Sequence, residues 1–495
     1  MNKINIALID ANPPWLDARK TGEIKEQVAL PLGLMYISSY LKMKFSGAVN
    51  TKLINTIIDE SDLSAIIADL KAFRTQVVGI RALSMCKDYF YKLADKIKSE
   101  IEGIKVYAGG PFISSEPYKV LSESMVDGII VGEGEEAFAE IIGALLKSQP
   151  LESIKNYGYR KKNGEIIING QRDFIKDINE LPFPDYSIID IEKYSRVISY
   201  GYTIRKQAML LTSRGCPFGC KYCFNFLGRL FRPRSPENVF EEIKYLHETY
   251  GIGDFFIVDD TFNIQKQRSA DLLELIISWG VKIRLYFTSG LRGDILDRDL
   301  IDLMVKAGTI WVSFGVESVN KRIQKLIGRT ANVKKLEDAI KYCCDKEIMV
   351  GIFFMVCFPT ETVEEAMETI NFVKSLKRVT MPYFFGVRYF PKTELFDIAV
   401  KENIITDKLM ASIYMPYHDT TGLETPTMPN LEFKKLFMCY LKEIFLDKER
   451  LYHALSIQEK YLSKEELGYV YSSILRRKIT SPREDLKAFL VNRGI

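Results

Sequence analysis

Histidine is almost missing from this sequence. Three occur, His247, His418 and His453, and none precedes residue 247, so catalysis built on histidine acid–base pairs or a multi-histidine metal site is short of material. An excess of one charge is missing too: 68 Lys and Arg against 64 Asp and Glu leave +4, too little to argue for nucleic acid. The longest apolar run, Ile348 to Phe358, stops at Pro359; it suits a buried strand and is too short for a membrane span. The opening MNKINIALIDANPP lacks a signal-peptide pattern, its apolar run being short and holding Asp10. Cys86, Cys343, Cys344, Cys357 and Cys439 are scattered around one central group of three. That is no disulfide framework, and it predicts a reducing, cytoplasmic setting. Apolar residues at 47% and charged ones at 27% describe an ordinary globular protein, long enough for about two to four domains.

What is present concentrates in Ser213 to Asn225, SRGCPFGCKYCFN. Cys216, Cys220 and Cys223 stand at C-x3-C-x2-C spacing, with Gly215, Pro217 and Gly219 tightening the loop and Tyr222 and Phe224 flanking the last thiol. A structural zinc site needs a fourth Cys or His close by, and the sequence provides no second C-x2-C or H-x3-H element. A [4Fe-4S] cluster usually takes four cysteines. Three leave one iron open to another ligand.

Before this stretch, INIALID, TKLINTII, QVVGIRALS, KVYAGGP and DGIIV read as strands alternating with helical segments such as SAIIADLKAF and DYFYKLADKIKSEI. The alternation predicts a doubly wound α/β sheet over residues 1–148, with ligands at the carboxyl ends of its strands. Gly109-Gly110-Pro111 and Gly132-Glu133-Gly134 fall there, as ligand loops or as plain αβ turns. Residues 149–199 form a linker: YGYRKKNGEIIING predicts a hairpin with a two-residue turn at Asn163-Gly164, and ELPFPDYSIID a proline-stiffened strap. Over 200–400 six strands, QAMLLTS, DFFIVDD, IRLYFTS, IWVSFGVE, IMVGIFFMVCF and YFFGVRYF, alternate with helices. Six are too few to close an eight-stranded barrel, so an open (β/α)6 barrel is expected, with its chemistry at the carboxyl strand ends. The cysteine loop follows the first strand; Asp259-Asp260-Thr261, then Ser289 through Arg292-Gly293-Asp294, then Glu317-Ser318 end the next three. Any one could be a helix cap. Together they suit a zwitterionic, cationic ligand carrying a ribose. Residues 401–495 read as charged helices, with Arg476, Arg477 and Lys478 a solvated basic face.

The cysteine stretch resembles the cluster motif of the radical S-adenosylmethionine (SAM) family, where an aromatic residue usually precedes the third cysteine. Asp259-Asp260-Thr261-Phe262, Arg292, Gly315-Val316-Glu317-Ser318, Phe358-Pro359-Thr360-Glu361-Thr362 and Tyr389 to Leu395 match further elements of that family. PLGLMYISSYL, GGPFISSEP and VGEGEEAFAEII resemble the N-terminal cobalamin-binding domain of one large subgroup. The resemblance implies a Rossmann-like cobalamin-binding sheet, a partial TIM-like barrel and a helical C-terminal region. It implies Cys216, Cys220 and Cys223 as ligands of a [4Fe-4S] cluster. Around SAM it implies Tyr222, Phe224, Asp259, Asp260, Thr261, Ser289, Arg292, Glu317, Ser318 and Pro359. Around cobalamin it implies Arg81, Gly109, Gly110, Pro111, Gly132, Glu133 and Gly134.

The activity implied is cleavage of SAM to a 5'-deoxyadenosyl radical, used for cobalamin-dependent methylation of an unactivated carbon of a small-molecule or natural-product substrate, the partner being a small molecule or a peptide. The alternative is cyclisation or rearrangement, with cobalamin an electron acceptor or absent. A non-catalytic iron-sulfur or corrinoid carrier would leave Arg292, Glu317 and the Asp259-Asp260 pair without a task. An oxygen-sensitive enzyme served by an external donor such as flavodoxin or ferredoxin follows, with no nucleic-acid or membrane partner. The chain departs from the family pattern in places. The D-x-H-x-x-G ligand of other cobalamin proteins is absent, which excludes a histidine-ligated cobalt. The loop expected below the corrin reads RALSMCKDY, and its Arg81, Met85 and Cys86 could leave cobalt without a protein ligand, offer a sulfur, or block the corrin; Cys86 itself reads as a buried thiol. Cys357, Thr360 and Lys392 stand where the family has glycine.

Overall fold

The computed structural model describes residues 3–13, 29–195, 203–416 and 419–476. Pro14, His418 and the Arg477-Lys478 part of the basic face lie outside the described residues. Among the described residues no helix is long and apolar enough to cross a membrane. The chain divides into two compact units, Met1–Tyr194 with Phe224–Arg232, and Ser195–Cys223 with Pro233–Ile495.

In the first unit β1 (Ile4–Ala11), β2 (Val49–Asn55), β3 (Val77–Ala82), β4 (Lys105–Gly109) and β5 (Gly128–Ile130) form a parallel sheet in the order β2-β1-β3-β4-β5. Ile6 to Ile9 are fully buried, as a continuous apolar run must be in a sheet covered on both faces. The helix Lys87–Glu100 buries Tyr89, Phe90, Leu93, Ala94 and Ile97, one stripe at helical spacing. Strand order reverses between β1 and β3, which opens a crevice at their carboxyl ends. Asp10 and Arg81 lie there. The expected hairpin joins this sheet as β6 (Tyr157–Arg160) and β7 (Ile166–Ile168), antiparallel to β5 and to each other. Its turn differs from expectation. Lys161 N bonds Glu165 O at 2.8 Å and Gly164 N bonds Lys161 O at 2.9 Å, so three residues make the loop. Gly164, at φ 88°, takes the left-handed position that closes such a turn.

The second unit is an open barrel of six parallel strands: β8 (Gln207–Leu210), β9 (Asp254–Ile257), β10 (Arg284–Leu291), β11 (Thr309–Glu317), β12 (Met349–Val356) and β13 (Met381–Gly386), paired in chain order. Fully buried Phe256 and Tyr286 stack at 4.1 Å on neighbouring strands, each burial contributing about 1.5–3 kcal/mol. The helix Pro236–Tyr250 starts as its sequence predicts, Ser235 capping Asn238 N with Pro236 at the first position. Side chains alternate on the last strands. Phe354 and Phe384 pack against Phe433, Phe437 and Tyr440 of the helix Asn430–Tyr440, so the C-terminal helices cover that flank. The long helical pattern there breaks at Asp447, whose carboxylate caps Arg450 N and starts a new helix, Lys448–Gln458.

Candidate cofactor sites

Gly215, at φ 79°, takes the left-handed turn that opens the cysteine loop after β8. Asp259, at the end of β9, holds the root of this loop: its Oδ1 accepts Thr212 N at 2.6 Å and its Oδ2 accepts the Thr212 and Ser213 hydroxyls. The group is 2% exposed, and burial raises its pKa against the pull of Arg268. Arg268 in turn donates to Thr212 O and Arg234 O. Next in line, Asp260 accepts Gly215 N at 3.1 Å, and the Thr261 hydroxyl lies 3.6 Å from Cys216 Sγ. The far side of the loop is stitched to two other segments, Lys221 N bonding Ile327 O and Leu395 N bonding Lys221 O, both at 2.9 Å.

All eight cysteines are free thiols; in the loop Cys220 is buried, Cys216 half-buried and Cys223 exposed. Among the described residues no three ligands gather closely enough to hold a single ion. Three cysteines on one short loop suit the thiolate chemistry of an iron-sulfur cluster.

Of the remaining strand-end residues, Arg292 meets the loop from the barrel. Arg292 lies over the Phe218 ring at 3.9 Å and makes two 2.8 Å bonds to Asp294. Burial pushes the Asp294 carboxyl up, but those bonds outweigh it and hold the group below its usual range. Glu317 ends β11 at φ 60°, and burial raises its pKa despite Arg329 nearby. Ser318 is fully buried beside Thr369, whereas Ser289 is exposed on β10. Pro359 is buried in the loop after β12, and its neighbour Phe358 lies 6.3 Å from the Tyr222 ring. Phe224 begins the segment counted with the first unit and stacks on Phe226.

One residue central to this geometry escapes a reading of the sequence. Arg329, 7% exposed, donates to Gly315 O and to Tyr222 Oη at 3.3 Å, with Cys220 Sγ and Glu317 Oε1 each at 4.0 Å. Burial and Glu317 drive the Tyr222 phenol pKa well up. An added Cβ on Gly315 would meet Glu317 Oε1 at 2.5 Å and Arg329 Nη2 at 3.1 Å, so the glycine makes room for the pair. The signal was there, a lone arginine closing the apolar LIGRT segment, but only the fold shows what it faces.

In the first unit Arg81 Nη1 pairs with Asp10 Oδ1 at 2.6 Å, and Asn12 bridges Asp10 to the buried Cys86 thiol. Cys86 is therefore an interior thiol. A Cβ on Gly110, at φ 97°, would stand 2.9 Å from Arg81 Cγ, while Gly109 and Gly132 have nothing closer than 3.8 Å where a side chain would project. Pro111 opens the short helix Pro111–Ser115, and Gly132 N donates to Ser114 Oγ at 3.0 Å. Glu133 accepts two bonds from Arg232 and one from Ile175 N, and Gly134 precedes the helix Glu135–Leu146. The open glycine edge fits a large planar group at the switch point, and no histidine is available to ligate a metal in it.

Comparison with known proteins finds two family models in the chain. A radical SAM superfamily model matches residues 210–373 and a B12 binding domain model residues 26–142. An uncharacterized methyltransferase of Pyrococcus horikoshii, PH0819, is 31% identical over 379 residues, covering 76% of this chain and 79% of the relative. The anaerobic magnesium-protoporphyrin IX monomethyl ester cyclase of Rubrivivax gelatinosus is 24% identical over 450 residues, 83% of this chain and 78% of the cyclase. Among solved structures, the cobalamin-dependent S-adenosylmethionine radical enzyme OxsB, with aqua-cobalamin and S-adenosylmethionine bound, matches 99% of this chain and 71% of its own at a TM-score of 0.66 and 17% identity. At that identity the likeness is one of fold.

Proposed function

The chain belongs to the radical SAM superfamily, in the branch that carries an N-terminal B12 binding domain, and from that premise we propose that it methylates an unactivated carbon of a small molecule or peptide. An enzyme of this class works with a [4Fe-4S] cluster, SAM and cobalamin. When bound, the cluster supplies the electron that splits SAM and the corrinoid supplies the methyl group.

The chain's own part is to hold and orient. Cys216, Cys220 and Cys223 would hold the cluster. Asp259 and Arg268 act through the loop they fasten, so that the thiols keep their places. Arg329 is a fixed cation beside Cys220, offsetting thiolate charge in a site where an unbalanced ion would be costly. Arg292 offers a guanidinium to a carboxylate in exchange for Asp294, and Asp260, Thr261, Ser289 and Glu317 offer acceptors for ammonium and hydroxyl groups. Tyr222 and Pro359 supply the apolar flank. In the first unit Gly109, Gly110 and Gly132 would leave room for the corrin, with Arg81, fixed by Asp10, at the same strand ends.

The observation that supports this reading best is the cysteine loop itself, three free thiols on a segment fastened from three sides. Anaerobic protein reconstituted with iron and sulfide, then given SAM and a strong reductant, is expected to form 5'-deoxyadenosine, and the Cys216→Ala, Cys220→Ala, Cys223→Ala triple variant none. Without that product the enzymatic reading is wrong. A second reading, a radical cyclase or rearrangement enzyme, has the cyclase relative in its favour. Hydroxocobalamin decides against methylation if the protein is recovered without corrin absorbance.

A further inference from the structure

The cluster loop must take its electron from outside the chain, and one rim of the second unit is built for such an encounter. Lys221 lies between two of the cluster cysteines. Its backbone is tied to Ile327 and Leu395, and its Cγ stands 3.3 Å from where a Cβ on Gly328 would be. The short helix Lys321–Leu326 runs into that same contact. On it Lys321 and Lys325 are exposed, four residues apart and so on one face.

None of these three lysines has a carboxylate within ion-pair distance among the described residues. Arg322, between the two helical lysines, is engaged by Glu365. The pattern contrasts with the next surface helix, where Lys334 and Lys341 pair with Asp338 and Glu337. Like charges one turn apart cost helix stability, and in a chain with a net charge of only +4 a local unpaired cluster is a specific feature. Glu394, exposed beside Leu395, is the acidic group on this rim.

Building on the radical SAM reading, we propose that Lys221, Lys321 and Lys325 form the docking surface for an acidic, low-potential one-electron carrier protein. The carrier's reduced cofactor gives up one electron, the oxidised cluster takes it, and no bond is made or broken. Opposite charge steers such encounters and makes them salt-dependent, with a screening length of about 8 Å at physiological ionic strength.

The test uses the full reconstituted protein with SAM and compares two reductants, reduced flavodoxin and the small uncharged photoreduced 5-deazariboflavin. Cluster reduction is followed by the reduced-cluster EPR signal. With flavodoxin, the rate is expected to fall steeply with added salt, and to fall about tenfold or more in the Lys321→Glu, Lys325→Glu variant. With deazariboflavin, wild type and variant should reduce alike. Equal flavodoxin rates in the two proteins overturn the docking surface. Loss with both reductants, in a variant with normal iron content, shows damage to the site and overturns it too. If wild type yields no reduced cluster with either reductant, the radical SAM reading itself fails, a different result from equal rates.

Discussion

Glu361 is the residue whose environment most contradicts its chemistry. It is fully buried behind the barrel's fifth strand; one oxygen accepts Phe358 N at 3.0 Å while the other has no hydrogen-bond partner. Burial pushes its pKa up to about 8. The unfolded carboxyl ionises near its ordinary value of 4.5, so between that pH and 8 the folded state holds a proton the unfolded state has lost. Stability is then fully present below about 4.5 and falls as pH rises through 8. At about 1.4 kcal/mol per pH unit the effect amounts to a few kcal/mol. Glu361→Gln should remove it: thermal unfolding from pH 5 to 9 should show a flat component for the variant where wild type declines, with the variant the more stable at pH 8.5. The same loop shows how residues can be legible while their conformation is not. Cys357, Thr360 and Lys392 stand where the family has glycine, and the backbone keeps glycine's left-handed form at all three, with φ of 74°, 60° and 66°. Side chains there cost about 1–2 kcal/mol each, a strain that no count of residues reveals.

At the scale of elements, strands and helices were readable because their periods are plain: buried parallel strands as apolar runs, helices as stripes, caps such as Ser235 and Thr362 where hydroxyls precede them. The three-residue turn at Gly164 and the break at Asp447 were not, since both depend on backbone bonds that several sequences satisfy equally. The cysteine loop shows the same limit. Its thiols announce themselves, but its fastening comes from Asp259, Ile327, Arg329 and Leu395, remote in sequence and joined by the fold alone. Gly328 tests whether that fastening matters. At φ 68° its added Cβ would stand 2.5 Å from Gly219 O, a backbone atom between Cys216 and Cys220 that cannot yield cheaply. Gly328→Ala should therefore displace the loop. The expected outcome is reconstituted protein with markedly less iron and weak 420 nm absorbance, while circular dichroism keeps its wild-type helix content. Full iron loading would show that the loop tolerates the shift.

Taken as a whole molecule, the chain folds as two compact units, each with its own sheet and its own carboxyl edge, and the proposed function gives each of them one cofactor task. Matches to separate family models, over residues 26–142 and 210–373, follow this division except at Phe224–Arg232, which lies with the first unit. If loading is local to each sheet, the two tasks can be disabled one at a time. Gly110 is the place to do so in the first unit. A Cβ there would lie 2.9 Å from Arg81 Cγ and 3.4 Å from Ala82 O, at a φ of 97° that side chains rarely adopt. Gly110→Ala must move Arg81 away from Asp10 or distort the glycine loop, at a cost of about 1–2 kcal/mol for the backbone alone. This variant is expected to be recovered without corrin absorbance after incubation with hydroxocobalamin, yet still to form 5'-deoxyadenosine from SAM. The triple cysteine variant should behave in the opposite way, binding corrin and forming no 5'-deoxyadenosine. If Gly110→Ala retains corrin, the glycine edge of the first sheet is not the corrin cradle. If it loses both activities while unfolding at the wild-type temperature, loading of one unit depends on the other.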